Sequence, residues 1–250
     1  MKISAFSSRY RVSRRPSRGL TLVELLVGMV IGLFLTAGIV TAFVGTKQGY
    51  RLTEAMSRLQ ENGRFAVEYL SRDLRQAGYR DISDSDPGPL VNAIQGWSGT
   101  NPDPSALTYY VANTDVLRVT YAEPNTNPAV IRNVFYYIGT PSSSTEPGLR
   151  RRIDASSSEE LIEGVRDMQI LYGLDTDGDG NLDSYASTTS NWSQVIAVKV
   201  NLLLGSAEGN LAENAMSLPF ERNDGSFFTA TDRRVYQIFT ATIALRNRLS

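Results

Sequence analysis

The chain has 250 residues, a formal net charge of −1, and neither cysteine nor histidine. Their absence excludes disulfides, thiol nucleophiles and the common zinc-ligand sets, and it removes the side chain that most often acts as a catalytic base. The sequence also has no glycine-rich phosphate-binding loop, so we do not expect an enzyme.

The first segment, residues 1–19, is basic. It contains no acid and six basic residues, Lys2, Arg9, Arg11, Arg14, Arg15 and Arg18. Because lysine and arginine beside an apolar run stay on the cytoplasmic side, we expect the rest of the chain to cross the membrane. Without this segment the formal charge falls from −1 to −7. A chain this acidic has no basic footprint, so no nucleic-acid partner is expected.

An uncharged apolar run, 25–44, follows and is headed by Glu24. Twenty such residues form a helix of about 30 Å, which is enough to cross a bilayer core. A carboxylate at the end of that helix is costly in lipid and therefore needs a partner or a function. An ordinary secretory signal would have a shorter run and a small-x-small cleavage site. An uncleaved signal anchor explains the span, but not the spacing of Glu24 from a glycine.

The residues that precede the run read Gly19-Leu20-Thr21-Leu22-Val23-Glu24. This arrangement resembles the leader and mature N-terminus of type IV prepilins. The resemblance implies that a prepilin peptidase cleaves after Gly19 and that Leu20 is then N-methylated. It also implies an assembly role for Glu24, by pairing with the α-amine of a neighbouring subunit. Most members of the family have phenylalanine where this chain has Leu20.

The helix is predicted to continue beyond the membrane. An apolar stripe at helical spacing consists of Leu52, Met56, Leu59, Ala66, Leu70, Leu74 and Ala77. Gly78 is the expected C-terminal cap. We therefore divide the chain into a leader (1–19), a transmembrane and filament-core helix (20–45), an amphipathic helix (46–79) and an exported β-rich domain (80–250).

The exported domain begins with a turn-rich stretch and continues with β-like runs. The predicted strands are 107–111, 116–121, 130–138, 161–172, 194–204 and 235–245. The segment 205–232 is predicted to be a long irregular loop. Strands without intervening helices indicate an antiparallel sheet, and hence an α+β fold.

An acidic motif, 175–183, could bind a metal ion. Its candidate ligands are Asp175, Asp177, Asp179, Asn181 and Asp183, in the spacing that begins a calcium loop. At position twelve Ala186 replaces the usual bidentate glutamate, so we expect weak calcium affinity, on the order of 0.1–1 mM. The same residues are also typical of a hairpin connection, because Asp-Gly steps favour turns. Both interpretations stay open.

Further segments resemble PilW-type minor pilins in particular: 60–79, 161–165, 171–180 and 244–248. The resemblance implies the type IV pilin fold, in which a long N-terminal α-helix packs on an antiparallel β-sheet. It also implies a minor pilin that takes part in initiating pilus assembly near the tip, with no required cofactor. The implied partners are other minor pilins, the major pilin, prepilin peptidase, the inner-membrane assembly machinery and a tip adhesin.

The implied location before assembly is the inner membrane of a Gram-negative bacterium, with a cytoplasmic N-terminus and a periplasmic domain. After assembly it is the pilus at the cell surface. Two alternatives share the leader and helix. One is a pseudopilin of a type II secretion system. The other is a membrane-anchored, calcium-dependent adhesion module that does not polymerise.

Overall fold

The structure is a computed structural model that describes residues 19–80, 88, 90, 92–99, 107–141 and 143–248. The six basic residues of the predicted leader lie outside these described residues. The chain divides into two compact units, Met1–Gly49 and Tyr50–Ser250. The boundary falls within a single helix, α1 (Leu22–Gln76).

In the first unit, α1 is apolar and exposed along its described length. By length and composition it is long and apolar enough to cross a membrane. Thr36, Thr41 and Thr46 each donate an Oγ1 hydrogen bond of 2.6–2.8 Å to the carbonyl four residues earlier. These hydroxyls therefore need no hydrogen-bond acceptor outside the helix, which suits an apolar environment.

In the second unit, α1 buries one stripe of side chains. The buried positions recur every three or four residues and are Ala55, Leu59, Gly63, Ala66, Leu70, Asp73 and Leu74. This spacing is that of an amphipathic helix. The prediction that Met56 belongs to the stripe is wrong. Met56 is 47% exposed, because Ala55 occupies the inward position one residue earlier.

Gly78 follows the end of α1, as predicted. Its φ is 74°, a left-handed conformation that glycine adopts without strain, and its N–H donates to Thr120 O at 2.9 Å. The carbonyls of Arg75 and Ala77 accept hydrogen bonds of 3.2 Å from Asn247 Nδ2. The end of the helix is thereby attached to the last described residues of the chain.

The described part of the second unit contains two main antiparallel sheets and one hairpin. A five-stranded meander is formed by β1 (Ile94–Trp97), β2 (Val116–Ala122), β3 (Ile131–Gly139), β4 (Gly148–Ile153) and β5 (Glu159–Glu163). The second sheet is formed by β6 (Val165–Leu174), β7 (Ser184–Ala186), β8 (Val195–Gly205) and β11 (Tyr236–Ala244), in the order β11-β8-β6-β7. The hairpin joins β9 (Ser217–Glu221) to β10 (Phe227–Thr229).

The predicted α+β fold is confirmed, because a long N-terminal helix packs on antiparallel strands. The strands form two main sheets where one was expected. Leu70 of α1 shares one apolar cluster with Tyr136 of the five-stranded sheet and Ile170 of the four-stranded sheet. The buried stripe of the helix therefore contributes to a core that both sheets share.

Two of the predicted strands differ in the structure. Residues 107–111 do not form a strand, because the chain turns at Tyr109, where φ is 65°, and Tyr110 makes only an isolated bridge to Gly139. The predicted strand 161–172 is two strands. Gly164, where φ is 84°, separates them, so that β5 ends one sheet and β6 belongs to the other.

The sequence analysis also missed β4, β7 and the β9–β10 hairpin. β4 carries three consecutive arginines, a pattern more typical of a loop. Two of them are paired with β5: Arg150 Nη1 lies 3.3 Å from Glu160 Oε2, and Arg151 Nη2 lies 2.5 Å from Glu159 Oε1. Such cross-strand pairs of opposite charge stabilise neighbouring strands. The prediction that 205–232 is irregular is wrong over the hairpin.

Candidate functional site

The predicted assembly residues lie at the start of α1. Gly19 and Leu20 precede the helix, and Leu20 is 79% exposed. Thr21 accepts the first helical bond from Leu25 N–H, and it donates to Glu24 Oε2 from both its N–H (3.0 Å) and its Oγ1 (2.9 Å). Glu24 N–H donates in return to Thr21 Oγ1 at 3.2 Å. This reciprocal arrangement is a capping box, which satisfies free donors at the helix start.

The sequence analysis gave Glu24 an intersubunit role and overlooked this role within the chain. The signal was readable, because Thr-x-x-Glu before an apolar run is the sequence signature of a capping box. Among the described residues, both hydrogen bonds to the carboxylate reach Oε2. Glu24 can therefore hold the helix start and still present Oε1 to a cation. Cleavage after Gly19 keeps the Thr21 N–H, so it does not remove the box.

The acidic loop 175–183 connects β6 to β7, and the pairing of Leu174 with Ser184 fixes its ends. Gly178 and Gly180 have φ values of 81° and 83°, which allow the backbone to reverse within this short loop. A hairpin connection is thus present. Its second strand is β7, whereas the next strand predicted from the sequence was 194–204, which corresponds to β8.

The structure brings three of the five predicted metal ligands together. One carboxylate oxygen from each of Asp175, Asp177 and Asp183 lies within 4.8 Å of the other two. Asp179 is not in this group, and it accepts hydrogen bonds from Asn181 N–H (2.7 Å) and Asn181 Nδ2 (2.9 Å). Converging carboxylate oxygens are the ligands that calcium prefers.

Hydrogen bonds from the loop backbone hold two of these carboxylates in place. Asp175 accepts from Gly178 N–H at 2.7 Å and from Gly180 N–H at 2.9 Å. Asp183 Oδ2 accepts from the N–H and the hydroxyl of Thr176, at 2.7 and 2.5 Å. Because a carboxylate has about four lone-pair positions, these bonds leave acceptor capacity for a cation.

Crowded negative charge affects Asp177 in particular. A backbone hydrogen bond from Asp179 lowers the pKa of Asp177, but desolvation and the other carboxylates of the loop outweigh it, so the pKa is raised. Hydrogen bonds from Thr176 hold the pKa of Asp183 below its usual value. A bound cation would relieve the mutual repulsion of these carboxylates.

Two family models of known proteins match this chain, one near its start and one over most of the exported domain. Residues 14–40 match the family model of the prokaryotic N-terminal methylation motif, and residues 135–247 match that of PilW, the type IV pilus-assembly protein W. The chain is a type IV pilin-like protein with a PilW domain. The PilW match covers β4 to β11 and all but the first residues of β3, whereas the helical segment 60–79 lies outside both matched ranges.

Two similar proteins come from Thermus thermophilus. The chain is 33% identical over 99 residues to the pilin-like protein PilA3 of that species, across 38% of this chain and 42% of that one. The match thus spans less than half of the curated relative. A solved type IV-like pilin from the same species is similar with a TM-score of 0.45 and 14% identity, over 77% of this chain and 99% of that one.

The chain also contains a buried polar network that the sequence analysis did not anticipate. Asp115 and Asp167 are each 2% exposed. Asp115 Oδ2 accepts from Ile170 N–H (2.7 Å) and Asn223 Nδ2 (2.6 Å), while Asp167 Oδ2 accepts from Arg222 Nε (2.6 Å). The network therefore ties the β9–β10 connection to β6 and to the residue that precedes β2.

Burial raises the pKa of Asp115 to about 7, and the nearby charge of Asp167 adds to this effect. Carboxyl groups with raised pKa values occur in catalytic sites. The donors to Asp115 here are amide groups, and the sequence offers no histidine or cysteine to act beside it. These hydrogen bonds join the β9–β10 connection to β6 and to the residue before β2.

Proposed function

We propose that this pilin is a minor subunit of a type IV pilus that helps to initiate filament assembly. It is made as a single-pass precursor in the inner membrane of a Gram-negative bacterium, with its N-terminus in the cytoplasm and residues 80–250 in the periplasm. Prepilin peptidase cleaves after Gly19, Leu20 is N-methylated, and the mature chain enters the filament near its tip.

One observation carries this proposal. A methylation-motif match with Glu24 at the start of an exposed apolar helix occurs in the same chain as a PilW match over 135–247. The PilW match supports a pilus rather than the pseudopilus of a type II secretion system. The proposed partners are other minor pilins, the major pilin, the inner-membrane assembly machinery and a tip adhesin.

The proposed assembly step is an ion pair between subunits. Cleavage creates a positive α-amine on Leu20, and Glu24 of a neighbouring subunit supplies the negative charge. A carboxylate in an apolar environment is stable only when it is paired or protonated. The capping box supports this step, because it orients the side chain through Oε2 and leaves Oε1 for the amine.

Three variants separate the charge of Glu24 from its capping role. Glu24→Gln keeps an oxygen that accepts both bonds from Thr21, but it carries no charge. Glu24→Ala loses both functions, and Thr21→Val keeps the charge but loses the hydroxyl. Each variant is produced in the native cell, and its amount is measured in the membrane and in sheared surface filaments. Mass spectrometry gives the N-terminus.

We expect the unaltered protein in the filaments to begin at methylated Leu20. Glu24→Gln and Glu24→Ala should both reach the membrane and be depleted from filaments, whereas Thr21→Val should still be incorporated. Normal incorporation of Glu24→Gln would show that the charge is not needed. Recovery of the unaltered protein in the membrane alone would instead favour the non-polymerising adhesion module.

We also propose that the loop 175–183 binds calcium through Asp175, Asp177 and Asp183. The convergence of the three carboxylates supports this second proposal. Asp179, which was also predicted as a ligand, accepts hydrogen bonds from Asn181 and would have to turn to take part. Asn181 was predicted to contribute its backbone carbonyl, which these bonds do not involve. Because β7 places Ala186 where a bidentate glutamate would stand, weak affinity is expected, roughly 0.1–1 mM.

Isothermal titration of the full chain in detergent with calcium tests this proposal. Heat with a dissociation constant of roughly 0.1–1 mM is expected for the unaltered chain, and none for Asp175→Asn. Asp224→Asn is the matched control, because Asp224 is also exposed but lies in the β9–β10 connection. The proposal fails if millimolar calcium gives no heat, or if Asp175→Asn binds as well as the control.

A further inference from the structure

The outermost strand of the four-stranded sheet, β11, has one side without a neighbouring strand in the described part of the chain. It pairs with β8 in unbroken register from Tyr236↔Gly205 to Ala244↔Ala197. In an antiparallel pair, alternate residues direct their backbone N–H and C=O groups to the partner strand. The other residues direct theirs outward.

Two backbone hydrogen bonds at the ends of β11 show which residues face outward. Leu245 N–H donates to Ile196 O, and Ser206 N–H donates to Val235 O, each at 2.8 Å. The odd-numbered residues therefore bond to β8. The even-numbered residues face outward. Tyr236 N–H already donates to Met216 Sδ, so the free outward N–H and C=O groups are those of Ile238, Thr240, Thr242 and Ala244.

Among the described residues, no backbone or side-chain group forms a hydrogen bond with the outward N–H and C=O groups of these four residues. The side chains of Thr240, Thr242 and Ala244 are exposed, so no described side chain covers this part of the edge. The strand itself is held firmly, because Ile243 is buried and Phe239 packs against Gly63 of α1. The edge is therefore rigid and accessible within the described chain.

The other outer strands of the two main sheets lack this combination of features. β1 has four residues and β7 has three, which is too short for an extended edge. β5 carries three glutamates and pairs with β4 through a register shift. Charges, bulges and short length are the devices that protect a sheet edge from pairing. β11 has nine residues, no charge, no proline and no register shift.

We propose that the outward edge of β11 binds an extended segment of a different pilin subunit by β-strand addition. This inference rests on the proposed function, since it assigns one contact of the filament subunit. A free strand edge recognises extended backbone, because regularly spaced donors and acceptors match only another strand. The threonine and alanine side chains allow a second backbone to approach without charge repulsion.

The sequence of this chain argues against a second copy as the occupant. If β11 paired with β11 of another copy, the contact would be two-fold and closed, and both edges would be consumed. A filament needs a contact that leaves the next position open. The outer strand β5 of a second copy would bring Glu159, Glu160 and Glu163 against an edge that offers no cation.

Thr242→Pro is the decisive variant, and Thr242→Ala is its matched control. Proline removes the outward N–H of Thr242, which does not bond to β8, so the ladder within the sheet is kept. Alanine removes the same hydroxyl and keeps the N–H. Both variants should unfold at the same urea concentration as the unaltered full chain in detergent, which shows that the fold is retained.

In the native cell we expect Thr242→Pro to reach the membrane normally and to fall at least about tenfold in sheared filaments relative to Thr242→Ala. Equal incorporation of the two variants overturns the inference and leaves the proposed function standing. If the unaltered chain is itself absent from filaments, the proposed function fails, and a second measurement then decides the inference.

That measurement is photo-crosslinking of the full chain in the membrane. In the test variant a photoreactive residue replaces Thr242. In the control variant it replaces Ser190, an exposed residue of the loop after β7. An adduct with another prepilin from position 242 alone supports the inference. An adduct of the chain with itself, or equal adducts from both positions, overturns it, and so does the absence of an adduct at position 242.

Discussion

Gly63 of α1 packs against the ring of Phe239 of β11, and its replacement by alanine tests this contact. A Cβ atom at Gly63 would stand 2.2–2.4 Å from Cζ, Cε1 and Cε2 of Phe239. Carbon atoms in contact are normally separated by about 3.5–4.0 Å. The ring would therefore have to move by more than about 1 Å, within a region where Gly63 itself is buried.

Two opposing contributions set the expected magnitude. Overpacking a filled site costs typically about 1–3 kcal/mol, whereas glycine to alanine inside a helix gains about 1 kcal/mol. We therefore expect Gly63→Ala to lower the free energy of unfolding by up to about 2 kcal/mol. In a Phe239→Leu background the three obstructing ring atoms are absent, so Gly63→Ala should there raise it by about 1 kcal/mol.

The assay is urea unfolding of the full chain in mild detergent, followed by the fluorescence of Trp97 and Trp192. All four proteins of the double-mutant cycle are compared under the same conditions. The reasoning is refuted if Gly63→Ala has the same effect in both backgrounds. It is also refuted if Gly63→Ala alone stabilises the domain, because the close approach would then impose no strain.

Three further predictions use the same urea assay. Tyr136→Phe removes a buried 2.5 Å hydrogen bond to the Asp73 carboxylate and should cost about 2 kcal/mol; a loss below about 0.5 kcal/mol would contradict this. The pKa of Asp115 rises from 3.8 to about 7 on folding, so the folded state binds the proton more tightly than the unfolded state does. The free energy of unfolding should therefore decrease as the pH rises from about 4 to about 7. Asp115→Asn should reduce that slope, and an unchanged pH profile would count against the assignment. Glu146→Ala leaves two arginines of low exposure without their shared partner and should cost about 2 kcal/mol, whereas Glu54→Ala, which breaks an exposed pair, should cost less than about 0.5 kcal/mol.

The elements that the sequence predicted are those whose side chains follow one strong period. The helix has a regular apolar stripe and the strands β2, β3, β8 and β11 are rich in apolar residues, and all of them lie close to their predicted positions. Gly78 was readable as a cap because a helical pattern stops beside it. The strand β4 was not readable, since its arginines are stabilised by glutamates of β5, which a local pattern does not include.

The candidate site was predictable to a similar extent. Gly19, Leu20 and Glu24 are given by a short contiguous motif, and the roles assigned to them stay predictions. The capping box of Thr21 was equally local and could have been recognised. In the acidic loop the spacing predicted five oxygen ligands, but it could not show that the carboxylate of Asp179 would accept hydrogen bonds from Asn181. The network of Asp115 joins distant parts of the chain, so no local pattern reveals it.

The attachment of the last described residues to the helix has a consequence for biosynthesis. The ribosome releases α1 early, whereas Asn247, which closes the helix end, is 172 residues away from Arg75. Until β11 emerges, Phe239 cannot cover Gly63, and the apolar stripe stays open to unwanted association. We expect a nascent chain that stops before β11 to need shielding by a chaperone. A bulky tag fused after Arg248 should slow maturation of the whole domain.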